Sequence, residues 1–198
     1  MAKKEGFLII GSREKPVRFS YANTDIPRAQ EEGGVAKYSV SMVWSKSNIA
    51  LTAKVKAKID EIIISGKDVL KGANAKTKKF KYPLYDGDEE KPGDPVYKDC
   101  MYVNANSLEK PQIVDEKNEE LFNPKEEFYS GCYGRGSVNL YAFNKNGGIG
   151  IGVGLSNLQK YKDGEKLSSR TTAAEDFADD EQEEYQVEKG ADEVDEFL

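Results

Sequence analysis

The stretch Cys132-Tyr-Gly-Arg-Gly-Ser-Val-Asn-Leu-Tyr-Ala-Phe143 decides the fold, together with Asn144-Lys-Asn-Gly-Gly148 and Ile149-Gly-Ile-Gly-Val-Gly-Leu-Ser-Asn-Leu158, which follow it directly. The two long runs alternate in character with a period of two, which is the period of a β-strand. The glycine-containing interval between them is typical of a turn. We therefore predict a β-hairpin with strands at about 132–143 and 149–158 and a five-residue loop.

The two faces of this hairpin differ in composition. Val138, Leu140 and Ala142 form the predicted core face of the first strand, and its other face carries Tyr133, Arg135, Ser137, Asn139, Tyr141 and Phe143. One face of the second strand consists of glycines: Gly148, Gly150, Gly152 and Gly154. Because glycine weakens a strand, glycines beside aromatic rings favour a flat platform on which nucleic-acid bases stack. The alternative is a covering layer of structure, or a barrel that closes through glycine bends.

The rest of the body predicts a mainly β fold with one amphipathic helix. Alternating runs occur at 17–21, 37–44 and 100–106, and apolar residues recur at helical spacing from the N-cap Ser47 to Ser65, before Gly66. Residues 67–98 show no periodicity and are predicted to be irregular. Trp44 lies in phase with the apolar face of its run, so we assign it to the core rather than to a stacking site. The order of elements predicts an OB-fold-like, five- to six-stranded Greek-key barrel.

Two further segments carry candidate nucleic-acid contacts. The run Lys76-Thr-Lys78-Lys79-Phe80-Lys81-Tyr82 interleaves four lysines with two aromatic rings, so its lysines could neutralise phosphates while Phe80 or Tyr82 stacks. A basic loop without a partner explains the same run equally well. Tyr102, Asn104 and Asn106 share one face of the 100–106 run. Asparagine is a poor strand former, so two asparagines at alternate positions indicate a polar function.

The composition restricts the possible chemistry. The chain has no histidine, which excludes histidine bases, histidine metal ligands and serine–histidine catalysis. Its two cysteines cannot build a structural zinc site, and no cofactor is expected. The remaining catalytic candidate is the Asp86, Asp88 and Glu89 cluster, which could serve a metal-dependent nuclease or phosphotransferase. Carboxylates this close in a loop with glycine and proline are more often a solvated turn.

The negative charge of the chain is concentrated at its C-terminal end. Residues 175–198 contain 12 acidic residues and one lysine, so this segment carries −11 while the rest of the chain carries +5. We predict a nucleic-acid-binding domain at 1–170 and a disordered acidic tail at 171–198. The tail ends in Asp195, Glu196, Phe197 and Leu198, and these residues suit docking to a partner protein. No apolar run is long enough to cross a membrane, and the first residues lack a secretory signal.

Several motifs together resemble the bacteriophage-encoded OB-fold single-stranded-DNA-binding proteins. They are Arg18-Phe-Ser-Tyr-Ala, Lys37-Tyr-Ser-Val-Ser, Leu84-Tyr-Asp-Gly-Asp-Glu-Glu-Lys-Pro, Tyr102-Val-Asn-Ala-Asn-Ser, Tyr129-Ser-Gly-Cys-Tyr-Gly-Arg, Asn139-Leu-Tyr-Ala-Phe-Asn and Gly152-Val-Gly-Leu-Ser-Asn-Leu-Gln-Lys. The resemblance implies an OB fold and sequence-independent binding of single-stranded DNA during phage replication and recombination. It also implies that the tail recruits replication proteins such as a polymerase or helicase, although Leu198 follows the aromatic residue at which many such tails end.

The leading hypothesis is therefore a non-enzymatic protein that coats and protects single-stranded DNA in the cytoplasm of a bacterial host. Its acidic tail would regulate DNA binding and recruit partners. A phage assembly protein with a solubilising tail is a third hypothesis, and it predicts no DNA binding.

Overall fold

A computed structural model of the chain describes residues 5–29, 32–74, 76–77, 79–145 and 147–167. The chain divides into two units, 1–166 and 167–198, and the fold described below is that of the first. Nine strands of the described residues form one sheet: β1 Phe7–Ile10, β2 Val17–Arg28, β3 Lys37–Ser45, β4 Phe80–Lys81, β5 Leu84–Asp86, β6 Cys100–Ser107, β7 Gln112–Val114, β8 Tyr133–Lys145 and β9 Gly148–Lys162. The helices are α1 Ile49–Ser65, α2 Lys67–Leu70, α3 Gly87–Glu90 and α4 Pro124–Glu127.

Five of the strands close into a barrel. β2 pairs with β3, β3 with β6, β6 with β9, β9 with β8, and β8 returns to β2. All of these pairs are antiparallel except β6–β9, which is parallel. A five-stranded Greek-key barrel with these properties is an OB-like fold, as the sequence predicts. The four other strands extend the sheet outside the closed ring.

The core lies inside the barrel and beneath α1. Alternation along β3 turns Val40, Met42 and Trp44 inwards, and each is at most 4% exposed. The Trp44 indole Nε1 donates to Thr52 Oγ1 on α1 at 3.0 Å, which confirms the assignment of this ring to the core. The buried face of α1 is spaced as a helix requires and consists of Leu51, Val55, Ile59 and Ile62.

The boundaries of α1 differ in detail from the prediction. Asn48, and not Ser47, caps the helix, because its side chain accepts a hydrogen bond from the Leu51 amide at 3.2 Å. Gly66 does end the helix, but with a φ of −86° it is not a left-handed cap. A Cβ at this position would lie 2.5 Å from the Cβ of Ala142, so glycine allows α1 to approach β8 closely.

Two other predictions need correction. The hairpin pairs Asn144 with Ile149 and Lys145 with Gly148, so two positions instead of five lie between the strands. Gly147 supplies a φ of +74°, as tight hairpin turns require. Residues 67–98 are not irregular, because they contain α2, β4, β5 and α3. These elements have two to four residues each, too few to display a period. No helix in the described part of the chain is long and apolar enough to cross a membrane.

Candidate nucleic-acid interface

The aromatic face of the hairpin lies directly on its glycines. A Cβ on Gly152 would lie 2.5 Å from Cζ of Tyr141, and one on Gly148 would lie 3.5 Å from Cε2 of Phe143. Glycine is therefore needed at 152 so that the Tyr141 ring can lie flat against the backbone of β9. The Tyr141 side chain remains 45% exposed, and its ring centroid is 6.5 Å from that of Phe143. The pair, which we call the hairpin platform, thus has one supported side and one side open to a ligand.

A basic segment lies beside the hairpin platform. Phe80 and Lys81 form β4, which pairs in parallel with Ile149 and Gly150. Gly150 serves this contact, because a Cβ there would lie 2.3 Å from the carbonyl oxygen of Lys81. One of the four glycines therefore makes room for a neighbouring strand and not for a ligand.

The pairing of β4 places the residues of the predicted basic run in different environments. Lys79 and Lys81 are exposed and, with Phe143 and Lys145, line a cavity of about 580 Å³. Phe80 is only partly exposed and packs against the barrel core, so it supports the segment. Lys76 is exposed within a turn, where its amide donates to Asn74 Oδ1, and Lys78 lies outside the described residues.

Small polar residues continue this surface across the barrel. The register places Ser39 opposite Asn106, Asn106 opposite Gly154, and Gly154 opposite Asn139, in one row over β3, β6, β9 and β8. Asn104 lies on the same face of β6 and accepts a hydrogen bond from Ser41 Oγ at 2.6 Å. We call this row, with Ser41 and Asn104, the polar floor. The buried Oδ1 of Asn139 has no partner among the described residues, which leaves an acceptor unsatisfied in the floor.

A second exposed aromatic residue, Tyr21, lies at the end of the polar floor that is away from the hairpin platform. Tyr21 has a φ of +47° at a point where the register of β2 and β3 shifts, which is the geometry of a bulge that redirects a side chain. Its ring is 57% exposed and faces the Lys91 ammonium at 4.0 Å from the ring centroid. Tyr21, Arg28 and Lys91 line a cavity together with Ser39, Ser41 and Asn104 of the floor. Left-handed backbone at a bulky residue is costly and is typical of functional sites.

The sequence analysis missed Tyr21 and Lys91. The alternation Val17-Arg-Phe19-Ser-Tyr21 places Tyr21 in phase with the core residues Val17 and Phe19. Only the bulge turns it outwards, and no local pattern predicts the bulge. Lys91 follows α3, in a stretch without periodicity.

Tyr102 is more buried than a residue that stacks on a base would be. It lies on the outer face of β6 as predicted, but it is 4% exposed because Tyr85 stacks on it at 5.1 Å and Tyr97 meets it edge-on at 4.8 Å. Burial raises the pKa of the Tyr102 hydroxyl to about 12. In this arrangement Tyr102 supports Tyr97, which in turn lies beneath Lys91 at 4.2 Å.

Tyr133 and Arg135 lie on the predicted face of β8 but far from the hairpin platform. Tyr133 and Tyr141 are eight positions apart, which is about 26 Å along a strand. Arg135 Nε donates to Gln159 Oε1 at 2.8 Å, and its guanidinium lies 5.7 Å from the centre of the Tyr161 ring. The structure therefore divides the single predicted platform into two separate places.

Comparison with known proteins assigns the family. A family model described as "Enterobacter phage Enc34, ssDNA-binding protein" matches residues 9–187. The chain belongs to this family. The resemblance drawn from the motifs is thus confirmed.

Three known proteins illustrate what this chain is similar to. The protein p50 of Acyrthosiphon pisum secondary endosymbiont phage 1 is 27% identical over 168 residues, which are 83% of this chain and 90% of that protein. The single-stranded-DNA-binding protein of bacteriophage Enc34, solved in complex with ssDNA, is 26% identical with a TM-score of 0.70 and covers 83% of this chain and 91% of its own. The single-stranded-DNA-binding protein of bacteriophage T7 shares the fold, with 13% identity, a TM-score of 0.58 and coverage of 87% and 99%.

The acidic cluster that suggested an enzyme is held by a lysine. Lys46 Nζ pairs with both Asp86 and Asp88, at 2.6 Å from Asp88 Oδ2. These hydrogen bonds hold the pKa of each carboxyl below its usual range and raise the pKa of Lys46. Asp88 also accepts from the Asp99 amide at 3.0 Å. Among the described residues there is no group of three or more metal-ligating side chains.

The Lys46 contacts have a structural consequence. Lys46 Nζ binds Asp86 and Asp88 at the start of segment 86–99, and the Lys46 amide donates to the Asp99 carbonyl at 2.9 Å at its end. Both ends of the segment that carries Lys91 and Tyr97 are thereby held beside the end of β3. Glu89, the third member of the cluster, is exposed. The tail residues Asp195, Glu196, Phe197 and Leu198 lie outside the described part of the chain, so their predicted role stays a prediction.

Proposed function

We propose that this protein binds single-stranded DNA without sequence preference, along the polar floor between Tyr21 and the hairpin platform. The observation that carries the proposal is the pairing of an exposed ring with cations at each end of one continuous surface. Its floor begins on the second and third strands of the barrel and continues over the fifth and fourth, and the hairpin platform adjoins the turn between the fourth and fifth. OB folds bind oligonucleotides at these places. Membership of the Enc34 ssDNA-binding family and the solved DNA complex of the Enc34 protein support the same function.

The chemistry of the surface suits single strands. Bases stack on aromatic rings regardless of their identity, because every base has a π face. Arg28, Lys79, Lys81 and Lys91 make no ion pair with a carboxylate within the described residues, so their charges are free to meet phosphates. The floor contributes amides, hydroxyls and a bare glycine, which allow a sugar-phosphate chain to lie close to the sheet. Nothing in this proposal requires catalysis. The nuclease hypothesis rested on Asp86 and Asp88, and both carboxylates are paired with Lys46.

A titration of labelled oligo-dT at several salt concentrations tests the proposal. Each phosphate neutralised on a single strand contributes about −0.7 to the slope of log K against log salt. Four cations therefore predict a slope of about −2.8 or steeper, with similar affinity for mixed sequences. A chain that binds no oligonucleotide at low salt, or binds with an affinity independent of salt, would contradict the proposal.

We further infer that the protein acts in phage DNA replication and recombination in the cytoplasm of the bacterial host. The segment 175–198 carries −11 and offers a polyanion that competes with DNA for the cations of the body. The terminal Asp195, Glu196, Phe197 and Leu198 combine charge with two apolar anchors, which suits recruitment of a polymerase or helicase.

Deleting residues 175–198 should tighten binding to oligo-dT several-fold at low salt, because the competing charge is removed. The difference should shrink as salt screens the charges. The matched control keeps the length and replaces the 12 acidic residues by their amides, Asn and Gln, and it should tighten binding to the same extent. If neither variant changes the affinity, the acidic segment has no regulatory role and keeps only its proposed role in recruitment.

A further inference from the structure

Three tyrosines at the end of the hairpin remote from its turn are each flanked by two cations. Every cation lies 5.0 to 5.7 Å from the centre of its ring. Tyr129 has Lys160 and Lys166, Tyr133 has Arg18 and Lys162, and Tyr161 has Arg13 and Arg135. We call these nine residues the tyrosine–cation cluster.

The three rings belong to one surface. Tyr129 hydrogen-bonds to Asp163 Oδ1 and contacts Gly164, and a Cβ on Gly164 would lie 2.6 Å from the Tyr133 ring. Tyr133 and Arg135 are alternate residues on the outer face of β8. Arg135 and the Tyr161 hydroxyl both donate to Gln159 Oε1, at 2.8 and 3.1 Å.

Much of the positive charge in this cluster is not balanced by carboxylates. Lys160 pairs with Asp163 at 2.6 Å, and Arg18 approaches Glu165 at 3.9 Å. Arg13 donates to the main-chain carbonyl of Glu116 at 2.8 Å, and a carbonyl carries no net charge.

Four of the six cations have no carboxylate partner in the part of the chain that the structure describes. Arg13, Arg135, Lys162 and Lys166 make no ion pair within the described residues. The buried Nε of Arg18 has no acceptor there either. These four uncompensated like charges, brought together from separate segments, repel one another, so their convergence indicates a place for an anionic ligand.

We propose that the tyrosine–cation cluster is a second binding site for single-stranded nucleic acid. Its exposed cations Arg13, Lys162 and Lys166 would pair with phosphates, and the tyrosine rings would contact bases or sugars. The inference rests on the proposed function and extends it. Because Tyr133 lies about 26 Å from Tyr141 along β8, a short oligonucleotide occupies the polar floor alone, whereas a longer strand reaches the cluster as well.

The test compares two labelled dT oligonucleotides, of about 6 and about 30 nucleotides, on the full-length chain by fluorescence anisotropy. The variant Arg13→Gln, Lys162→Gln, Lys166→Gln removes three charges. We expect it to bind the long oligonucleotide about tenfold more weakly at 0.1 M salt or below, with a salt slope shallower by about 2. Its affinity for the short oligonucleotide should stay within about twofold of the unmodified chain.

A matched control removes the same charge elsewhere through Lys54→Gln, Lys56→Gln and Lys67→Gln, on α1 and α2. It should weaken binding of the long oligonucleotide much less than the cluster variant does. Equal losses in both variants would show a general effect of net charge, and no loss in the cluster variant would show that DNA does not reach the cluster. Either result overturns the inference. Failure of the proposed function is distinguishable, because the unmodified chain would then bind neither oligonucleotide.

Discussion

Replacing Tyr141 and Phe143 together by alanine should raise the Kd for oligo-dT by at least about thirtyfold. Each base–aromatic stack is worth about 1–3 kcal/mol, so two rings contribute about 2–6 kcal/mol, and every 1.4 kcal/mol is a factor of ten. The rings are suited to this role because the glycines of β9 support Tyr141 from one side and leave the other side open. Anisotropy titration of the double variant measures the change.

The folded state should survive this double substitution. Tyr141 is 45% exposed and lies on the outer face of β8, so the core residues Val138 and Leu140 keep their contacts. The conservative variant Tyr141→Phe keeps the ring and should bind within about threefold of the unmodified chain, since stacking requires the ring and not the hydroxyl. Unchanged DNA affinity in the alanine double variant, with the fold intact by circular dichroism, would show that the hairpin platform does not contact DNA.

Replacing Tyr21 by glycine should weaken DNA binding and leave the free energy of unfolding nearly unchanged. The loss of one stacking ring should raise the Kd by roughly five- to 150-fold, corresponding to about 1–3 kcal/mol. The left-handed backbone at Tyr21 costs a non-glycine residue about 1–2 kcal/mol, and glycine removes that cost. The greater entropy of glycine in the unfolded chain and the lost contact with Lys91 offset this gain. The free energy of unfolding should therefore change by no more than about 1 kcal/mol.

Phe19, two positions before Tyr21, provides the matched core control for the Tyr21 experiment. Phe19 is fully buried and lies 4.8 Å from Phe128, so Phe19→Ala should cost about 3–5 kcal/mol of stability. If Tyr21→Gly instead lowers stability by a similar amount and leaves DNA affinity unchanged, Tyr21 is a structural residue. Denaturant unfolding and oligo-dT titration of the same preparations distinguish these outcomes.

The sequence predicted those parts of the molecule that depend on local periodicity. The alternation at 132–143 and 149–158 identified the hairpin and its core face, and helical spacing identified the buried face of α1. The neighbouring glycine and aromatic faces also followed from alternation, because side chains of paired strands at equal phase point to the same side of a sheet.

The remaining features depend on contacts that local patterns do not encode. The exposure of Tyr21 results from a bulge, which shifts the phase of β2 by an amount that period-two alternation cannot show. Tyr102 has the outward phase predicted for it, but Tyr85 and Tyr97 cover it, and both come from a segment whose elements are too short to be recognised. The separation of Tyr133 from Tyr141 is a matter of strand length, since residues that share a face of a 13-residue strand need not share a site.

Photocrosslinking of oligo-dT with a photoreactive thymine analogue, followed by mass spectrometry of the linked peptides, tests the central claim most directly. The claim is that one strand of DNA crosses the polar floor between Tyr21 and the hairpin platform. We predict crosslinks on peptides that contain Tyr21 and on peptides that contain Tyr141 or Phe143, with both formed at one oligonucleotide per chain. Crosslinks confined to α1 and α2, with none at Tyr21 or at the hairpin platform, would contradict the account.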